Sequence, residues 1–162
     1  MRKKKGQDSF YPTFVPALDA RTIMGRSRPG GAVRICEEDV VLKPEDISSR
    51  FVNLWLAPLL HGETDVLAVA NRLQAQGVTL EGTRALAAFT RRHYKRAVTG
   101  LIVLSLAESA IWTSDDGKCY VPAVGQMFPP DSDILCTSYS LGPAANPIAL
   151  DIVRVLVSGD RK

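Results

Sequence analysis

The chain has 162 residues, of which 46% are apolar, enough to fill the core of one domain. Its longest uncharged apolar run lies within residues 97 to 107, well short of the roughly 20 residues that a membrane-spanning helix needs. The three cysteines are odd in number and widely spaced, which argues against a disulfide framework and suits a reducing compartment. We therefore expect a globular protein with no membrane span, in the cytoplasm or within a particle assembled there.

The net charge is only +3, but the charge is distributed unevenly. Residues 1 to 34 contain eight Lys or Arg against two Asp, a balance of +6, and residues 84 to 96 add five cations and no acid. The rest of the chain has seven cations and fifteen carboxylates, a balance of −8. Two basic zones on an acidic body can attract phosphate, an acidic lipid surface or the acidic body of a neighbouring copy.

The first 32 residues are typical of an extended arm. Prolines at positions 12, 16 and 29 interrupt regular structure, and the glycines at 30 and 31 loosen it. We predict a basic arm without a core over residues 1 to 32, a single globular domain over residues 33 to 162, and a core that survives deletion of residues 1 to 30. No continuous apolar stretch follows the basic start, as a secretory signal would require. Arg2, Lys3, Lys4 and Lys5 are assigned to the arm, and Arg26 and Arg28 are predicted to contact nucleic acid.

Paired strands and two helices are predicted next. Residues 32 to 43 contain two β-branched clusters around an acidic triplet, which predicts a small hairpin or paired strands. A helix is predicted from Lys43 until Pro58 disturbs it, because Pro44 and the two acids after it suit a first helical turn. A second helix is predicted over 65 to 76, ending at Gly77. Its apolar face comprises Val66, Leu67, Ala70 and Leu73.

A third helix is predicted with Thr79 as its N-cap, running to about Ala110 and containing the stretch FTRRHYKRAVTGLIVLSLA. At 100° per residue, its apolar side chains and His93 share an arc that faces the core. The complementary face contains Arg84, Arg91, Arg92, Lys95 and Arg96. After Gly100 the helix would be apolar on every side, so we predict that residues 100 to 106 are buried in the core or at a subunit contact.

The C-terminal third contains a second hairpin and an ambiguous tail. Asp116 and Gly117 form a turn signal between two short strands within residues 110 to 123, and a Pro-rich loop is predicted over 121 to 134. The tail from 147 to 157 begins like a helix but is β-branched; a helix is preferred. The predicted fold class is therefore α+β and dominated by helices, a single compact domain with two short hairpins and an extended basic N-terminal arm.

The residues that support catalysis or metal binding are sparse. The two histidines, His61 and His93, have no neighbouring cysteine, so no zinc site, other metal site or cofactor is predicted. His93 is expected at the edge of the core with a ring nitrogen bonded to backbone. The acid pair at Asp115 and Asp116 and the one at 131 and 133 suit turns, so no catalytic residue is assigned and a non-enzymatic protein is expected.

The basic zones favour nucleic acid as the partner. On the exposed helix face the cations have no acid four residues away, a modest destabilisation that an external anion would offset. Nearby aromatic residues can stack on bases or dock into a partner's groove. These residues are Phe10, Tyr11, Phe14 and Tyr94.

We therefore expect a self-associating structural subunit, such as a coat or nucleoprotein. It would bind RNA or DNA through phosphate contacts of the basic helix face and a neighbouring subunit through the arm. One alternative is a winged-helix DNA-binding regulator, with helices over 65 to 76 and 79 to 96 and the hairpin from 112 to 120 as the wing. Another alternative is a small enzyme of unknown reaction.

Overall fold

The computed structural model describes residues 9–25, 34–35, 48–60, 63, 66–97, 101–107, 112–113, 119–126, 133–135 and 152–160. Three helices occur in these residues: α1 (Ala20–Gly25), α2 (Val66–Ala75) and α3 (Thr83–Ala97). Ten strands occur in them: β1 (Tyr11–Val15), β2 (Arg34–Ile35), β3 (Arg50–Pro58), β4 (Thr79–Leu80), β5 (Ile102–Leu104), β6 (Trp112–Thr113), β7 (Cys119–Tyr120), β8 (Ala123–Gln126), β9 (Asp133–Leu135) and β10 (Val153–Ser158).

One mixed sheet organises the described part of the chain. Its strand order is β1, β3, β10, β5, β8, β9, β2, with β4 also paired to β10. Strand β10 is antiparallel to β3 and parallel to β5, and β9 is parallel to β2, while the other pairs are antiparallel. Because β5 pairs with β10 at Val153–Val155 and β4 pairs with it at Val157 and Ser158, β10 has partners on both sides along its length. Strand β10 is therefore central to the sheet.

Both faces of the central strands are buried, which explains their apolar sequences. Successive side chains of a strand point to opposite faces. In β10, Leu156 accordingly lies in the core cluster that contains α1 and α3 residues, whereas Val155 and Val157 lie in the cluster that contains α2 residues. Strand β3 divides in the same way, with Leu56 in the first cluster and Trp55 in the second. The described part of the domain is therefore a sheet with helices on both faces.

The predicted dominance of helices is wrong, because the described residues are rich in strands. The helix predicted over 43 to 58 is strand β3 from Arg50 onward, and the helix preferred over 147 to 157 is strand β10 from Val153 onward. Both segments are short apolar runs, for which periodicity alone does not separate a buried strand from a buried helix. The sheet resolves this ambiguity, since both runs pair with neighbouring strands and bury both faces.

Helix α2 confirms the second predicted helix. It spans Val66–Ala75, and Gly77 follows with a φ of 81°, the left-handed conformation in which glycine commonly ends a helix. Its buried face contains Ala70 and Leu73 as predicted, together with Val69, whereas Leu67 is exposed. The apolar face is therefore rotated from the predicted one, because α2 contacts the sheet through Val69 rather than through Leu67.

The extended arm predicted over residues 1 to 32 is wrong for the part that the structure describes. Strand β1 pairs along its length with β3, and Val15, Ala20 and Ile23 are buried in the core. The side chain of Asp19 accepts hydrogen bonds from the backbone N–H of Thr22 at 2.8 Å and from its hydroxyl at 3.0 Å, which stabilises the start of α1. Six predicted site residues lie outside the described residues and stay predictions: Arg2, Lys3, Lys4, Lys5, Arg26 and Arg28.

The segment that follows α3 is a strand and not a continuation of the helix. Helix α3 ends at Ala97, and β5 then pairs with β10 and β8. The predicted burial is confirmed for Val103, Leu104 and Leu106, which are fully buried. An apolar segment surrounded by strands is buried on both faces without being helical.

The two predicted hairpins and the Pro-rich loop have different outcomes. Antiparallel pairing of β6 with β7, with Trp112 opposite Tyr120, confirms the paired strands of the hairpin predicted within 110 to 123, and its turn residues Asp116 and Gly117 lie outside the described residues. Strand β2 pairs in parallel with β9, and residues 36 to 43, which contain the rest of the hairpin predicted over 32 to 43, lie outside the described residues. The loop predicted over 121 to 134 is wrong where β8 and β9 occur.

Candidate nucleic-acid interface

Helix α3 is divided along its length into a buried part and a basic part. Every residue from Thr83 to Thr90 is buried, whereas Arg91 and Arg92 are exposed. The buried part packs against α1, β1 and β8, and its small residues Ala85 and Ala88 permit close contact. The sequence predicts the opposite arrangement, an amphipathic first half followed by an apolar second half. The basic surface of α3 is consequently confined to the residues after Thr90.

Arg84 does not belong to this surface. The residue is 6% exposed, and its Nη2 donates a hydrogen bond to the carbonyl oxygen of Ser48 at 2.8 Å. The prediction that Arg84 lies on an exposed cationic face is therefore wrong, because its side chain is buried and bonds to the segment that leads into β3. Lys95 and Arg96 belong to the α3 backbone, but their side chains lie outside the described residues and their predicted role stays a prediction.

Arg91 and Arg92 line a groove at the β1 end of the sheet. The groove has a volume of about 590 Å³. Its walls include Pro12, Phe14, Leu18, Phe51, Arg91 and Arg92. Within the described residues neither arginine has an ion-pair partner. The groove therefore combines two exposed cations with aromatic and apolar walls.

Two of the aromatic walls are a cross-strand pair. Phe14 of β1 lies opposite Phe51 of β3, and their ring centroids are 5.0 Å apart with an interplanar angle of 46°. Both side chains are exposed, Phe14 to 49% and Phe51 to 82%. Sequence reasoning identified Phe14 as a stacking residue but missed Phe51, which it placed in a helix. Polar and apolar residues do not alternate over residues 50 to 53, so the sequence has no signal that places Phe51 on an exposed strand face.

His93 and Tyr11 fix the wall of the groove. The His93 Nε2 atom lies 3.1 Å from the carbonyl oxygen of Pro12, and its ring centroid lies 5.3 Å from that of Tyr11. Tyr11 also contacts Phe89 edge to face, with a centroid distance of 5.4 Å. The prediction that His93 bonds to backbone at the edge of the core is confirmed. Tyr11 is half-buried in this cluster, so it holds β1 against α3 and is not a stacking platform. The side chain of Tyr94 lies outside the described residues.

A buried carboxylate holds β3 in place beside Phe51. Glu81 is 2% exposed and forms a salt bridge with both terminal nitrogens of Arg50. Its Oε1 atom also accepts a hydrogen bond from the Ser158 hydroxyl at 2.5 Å, and its backbone oxygen accepts one from Ser105 at 2.7 Å. The carboxylate therefore links β3 to β10, which is a structural use of a buried charge. The sequence analysis did not identify this network.

Among the described residues there is no group of three or more side chains able to hold a metal ion, and no helix long and apolar enough to cross a membrane. No protein-family model, curated protein or solved structure matches this chain. The geometry of the groove therefore carries the functional inference.

Proposed function

We propose that this chain is a non-enzymatic structural protein that binds nucleic acid through phosphate contacts at Arg91 and Arg92. The observation that carries the proposal is the exposure of both arginines in one groove, directly after eight consecutive buried residues of α3. A guanidinium group donates paired hydrogen bonds to phosphate oxygens, and release of condensed counterions from the nucleic acid contributes to affinity.

The helix dipole by itself explains the position of these two arginines less well. Cations are stabilised near the C-terminal end of a helix by the helix dipole, but the effect falls off within the last turn. The last turn of α3 comprises residues 94 to 97, so the dipole favours Lys95 and Arg96 but reaches Arg91 and Arg92 only weakly. In the proposed complex, a phosphate replaces the water that hydrates both arginines in the free protein.

The winged-helix alternative is not supported by the packing of the helices. Helix α2 residues lie in one core cluster and α3 residues in the other, on opposite faces of the sheet. In a helix-turn-helix the two helices pack on each other and the second presents its N-terminal part to the major groove. The corresponding part of α3, Thr83 to Thr90, is buried.

We further propose that the protein self-associates and is located in the cytoplasm or in a particle assembled there. The uneven charge supports self-association, since basic zones and an acidic body in one chain favour contact between copies. Size-exclusion chromatography with light scattering tests this part: large assemblies agree with a structural subunit, and a strict monomer contradicts it.

The nucleic-acid part is tested by anisotropy of labelled oligonucleotides across a potassium chloride series. Arg91→Gln and Arg92→Gln are each expected to lower the slope of log affinity against log salt by about 0.7 to 0.9, the value for one phosphate contact. The loss of affinity is expected to be equal for unrelated sequences, because phosphate contacts carry no sequence information. Arg154→Gln is the charge control, since it removes one positive charge from β10, away from the groove lining. Because Arg154 is half-buried and donates a hydrogen bond to the carbonyl oxygen of Val153, the melting temperature of this variant is first compared with that of wild type. Equal slopes for all four proteins would contradict the proposal.

A further inference from the structure

Phe14 and Phe51 form an exposed aromatic surface that the fold itself does not use. Single exposed apolar residues are common on protein surfaces and need no explanation. These two differ because they pair across neighbouring strands, contact each other and line one groove with two cations. The rings lie on the sheet face opposite to Val15 and α3, so the groove passes around the β1 edge of the sheet. An exposed aromatic pair in a groove that also contains cations can stack on the flat rings of a ligand.

The backbone beneath this surface is held firmly. On β1, the neighbours of Phe14 on either side, Thr13 and Val15, are buried on the opposite face. On β3, the neighbour of Phe51 is Arg50, which is paired with the buried Glu81. The two rings therefore stand on a backbone anchored from behind, which lowers the entropic cost of binding a flat ligand against them.

The adjacent arginines indicate which flat ligand fits. A chain that carries a negative charge at each unit and a flat ring between charges can place phosphates at Arg91 and Arg92 and a ring on the phenylalanines. In a duplex the faces of the bases are covered by their neighbours in the stack, whereas in a single strand they are accessible. A groove of about 590 Å³ has the size of a small-molecule site and can accept one or two nucleotides of a single strand.

We infer that the nucleic acid bound in this groove is single-stranded, with a base stacked on the Phe14–Phe51 pair and the flanking phosphates at Arg91 and Arg92. This inference rests on the proposed function and narrows its ligand. Stacking tolerates any base, so the protein would bind single strands with little sequence preference.

The test compares a 15-nucleotide oligo-dT strand with a duplex of the same length by anisotropy. Phe51→Leu removes the aromatic ring and keeps an apolar side chain, and Phe14→Leu is an independent second variant. Each is expected to weaken single-strand binding by about 5-fold to 100-fold, the range for loss of one stacking side chain, without changing the salt slope. Phe10→Leu is the matched control, because Phe10 is similarly exposed but does not line the groove.

A spectroscopic measurement separates stacking from a general loss of contact. With 2-aminopurine placed in the strand, wild-type protein is expected to quench its fluorescence at saturation, and Phe51→Leu is expected to quench it less. Thermal melting of each variant is measured alongside, and little change is expected because Phe51 is 82% exposed.

The outcomes distinguish this inference from the proposed function. If the arginine variants lose affinity while single strand and duplex bind equally and both phenylalanine variants bind like wild type, the single-strand inference is overturned and the proposed function stands. If neither form of nucleic acid binds, both fail. If the phenylalanine variants change only the oligomeric state, the surface joins copies of this chain and the inference is overturned.

Discussion

Replacing Glu81 by alanine tests whether the buried network holds the sheet together. Glu81 is 2% exposed and receives both terminal nitrogens of Arg50 and the hydroxyl of Ser158. Breaking a fully buried ion pair costs about 3–5 kcal/mol, because one charge is left uncompensated in the interior. The side chain of Arg50 is 38% exposed, so it can reach water after the substitution and this part of the cost is reduced.

The remaining cost comes from the polar groups that cannot reach water. Ser158 is buried and would lose the acceptor of its hydroxyl, which costs about 1–3 kcal/mol. Together with a residual ion-pair contribution and the cavity left by the side chain, we expect Glu81→Ala to lower the free energy of unfolding by about 2–4 kcal/mol. For a chain of this length that is a fall in Tm of about 5–15 °C.

Urea unfolding followed by tryptophan fluorescence measures this change, since the buried Trp55 lies on β3, the strand that the network anchors. Ser158→Ala is the matched control: it removes one hydrogen bond but leaves Glu81 paired with Arg50, so we expect a loss of about 1 kcal/mol. In the double variant the two losses should not add, because the residues share one hydrogen bond. A Glu81→Ala protein that unfolds within 1 kcal/mol of wild type would refute the reasoning.

Two further predictions concern the core. Leu104→Asp places an unpaired carboxylate in a fully buried strand position, which costs several kcal/mol, so we expect insoluble or unfolded protein. The control Leu67→Asp, on the exposed side of α2, should be soluble. A soluble Leu104→Asp protein that melts like wild type would contradict the burial of β5. Deleting residues 1 to 30 removes β1 and α1 with their buried side chains, so we expect no cooperative unfolding transition by circular dichroism. The control is a deletion of residues 1 to 8, which leaves both elements intact. A stable, cooperative 31–162 protein would show that β1 is dispensable.

Local signals in the sequence were sufficient for several features. Helix α2 and its end at Gly77 follow from a capping signal, an apolar period and one glycine, all within a dozen residues. The β6–β7 hairpin follows from its turn signal, and the role of His93 follows from its place beside apolar neighbours. The helix and the hairpin depend on contacts between residues close in the chain, so the sequence determines them almost by itself. His93 differs, because the backbone oxygen that it contacts belongs to Pro12, 81 residues away in the sequence.

Tertiary structure decided that β3 and β10, the two central apolar segments, form strands and not helices. The apolar runs in β3 and β10 fit a helix or a buried strand equally well, and only their partners distinguish the two. Leu56 lies opposite Leu156, a pairing that brings together distant parts of the chain. No local signal specifies such a partner, so the prediction of helices failed where the sheet supplied burial on both faces.

The candidate interface depended both on the sequence and on the tertiary structure. The density of cations after Thr90 was visible in the sequence, and Arg91 and Arg92 are exposed as predicted. Arg84 is buried because the first two turns of α3 are packed against other elements. A helical wheel shows which residues share a face, but it does not show which turns of the helix are buried. Phe51 joined the interface only because strand pairing placed it opposite Phe14 on an exposed face. The sequence determined which charges were available, and the packing of β1 and α3 decided which of them share a groove with aromatic rings.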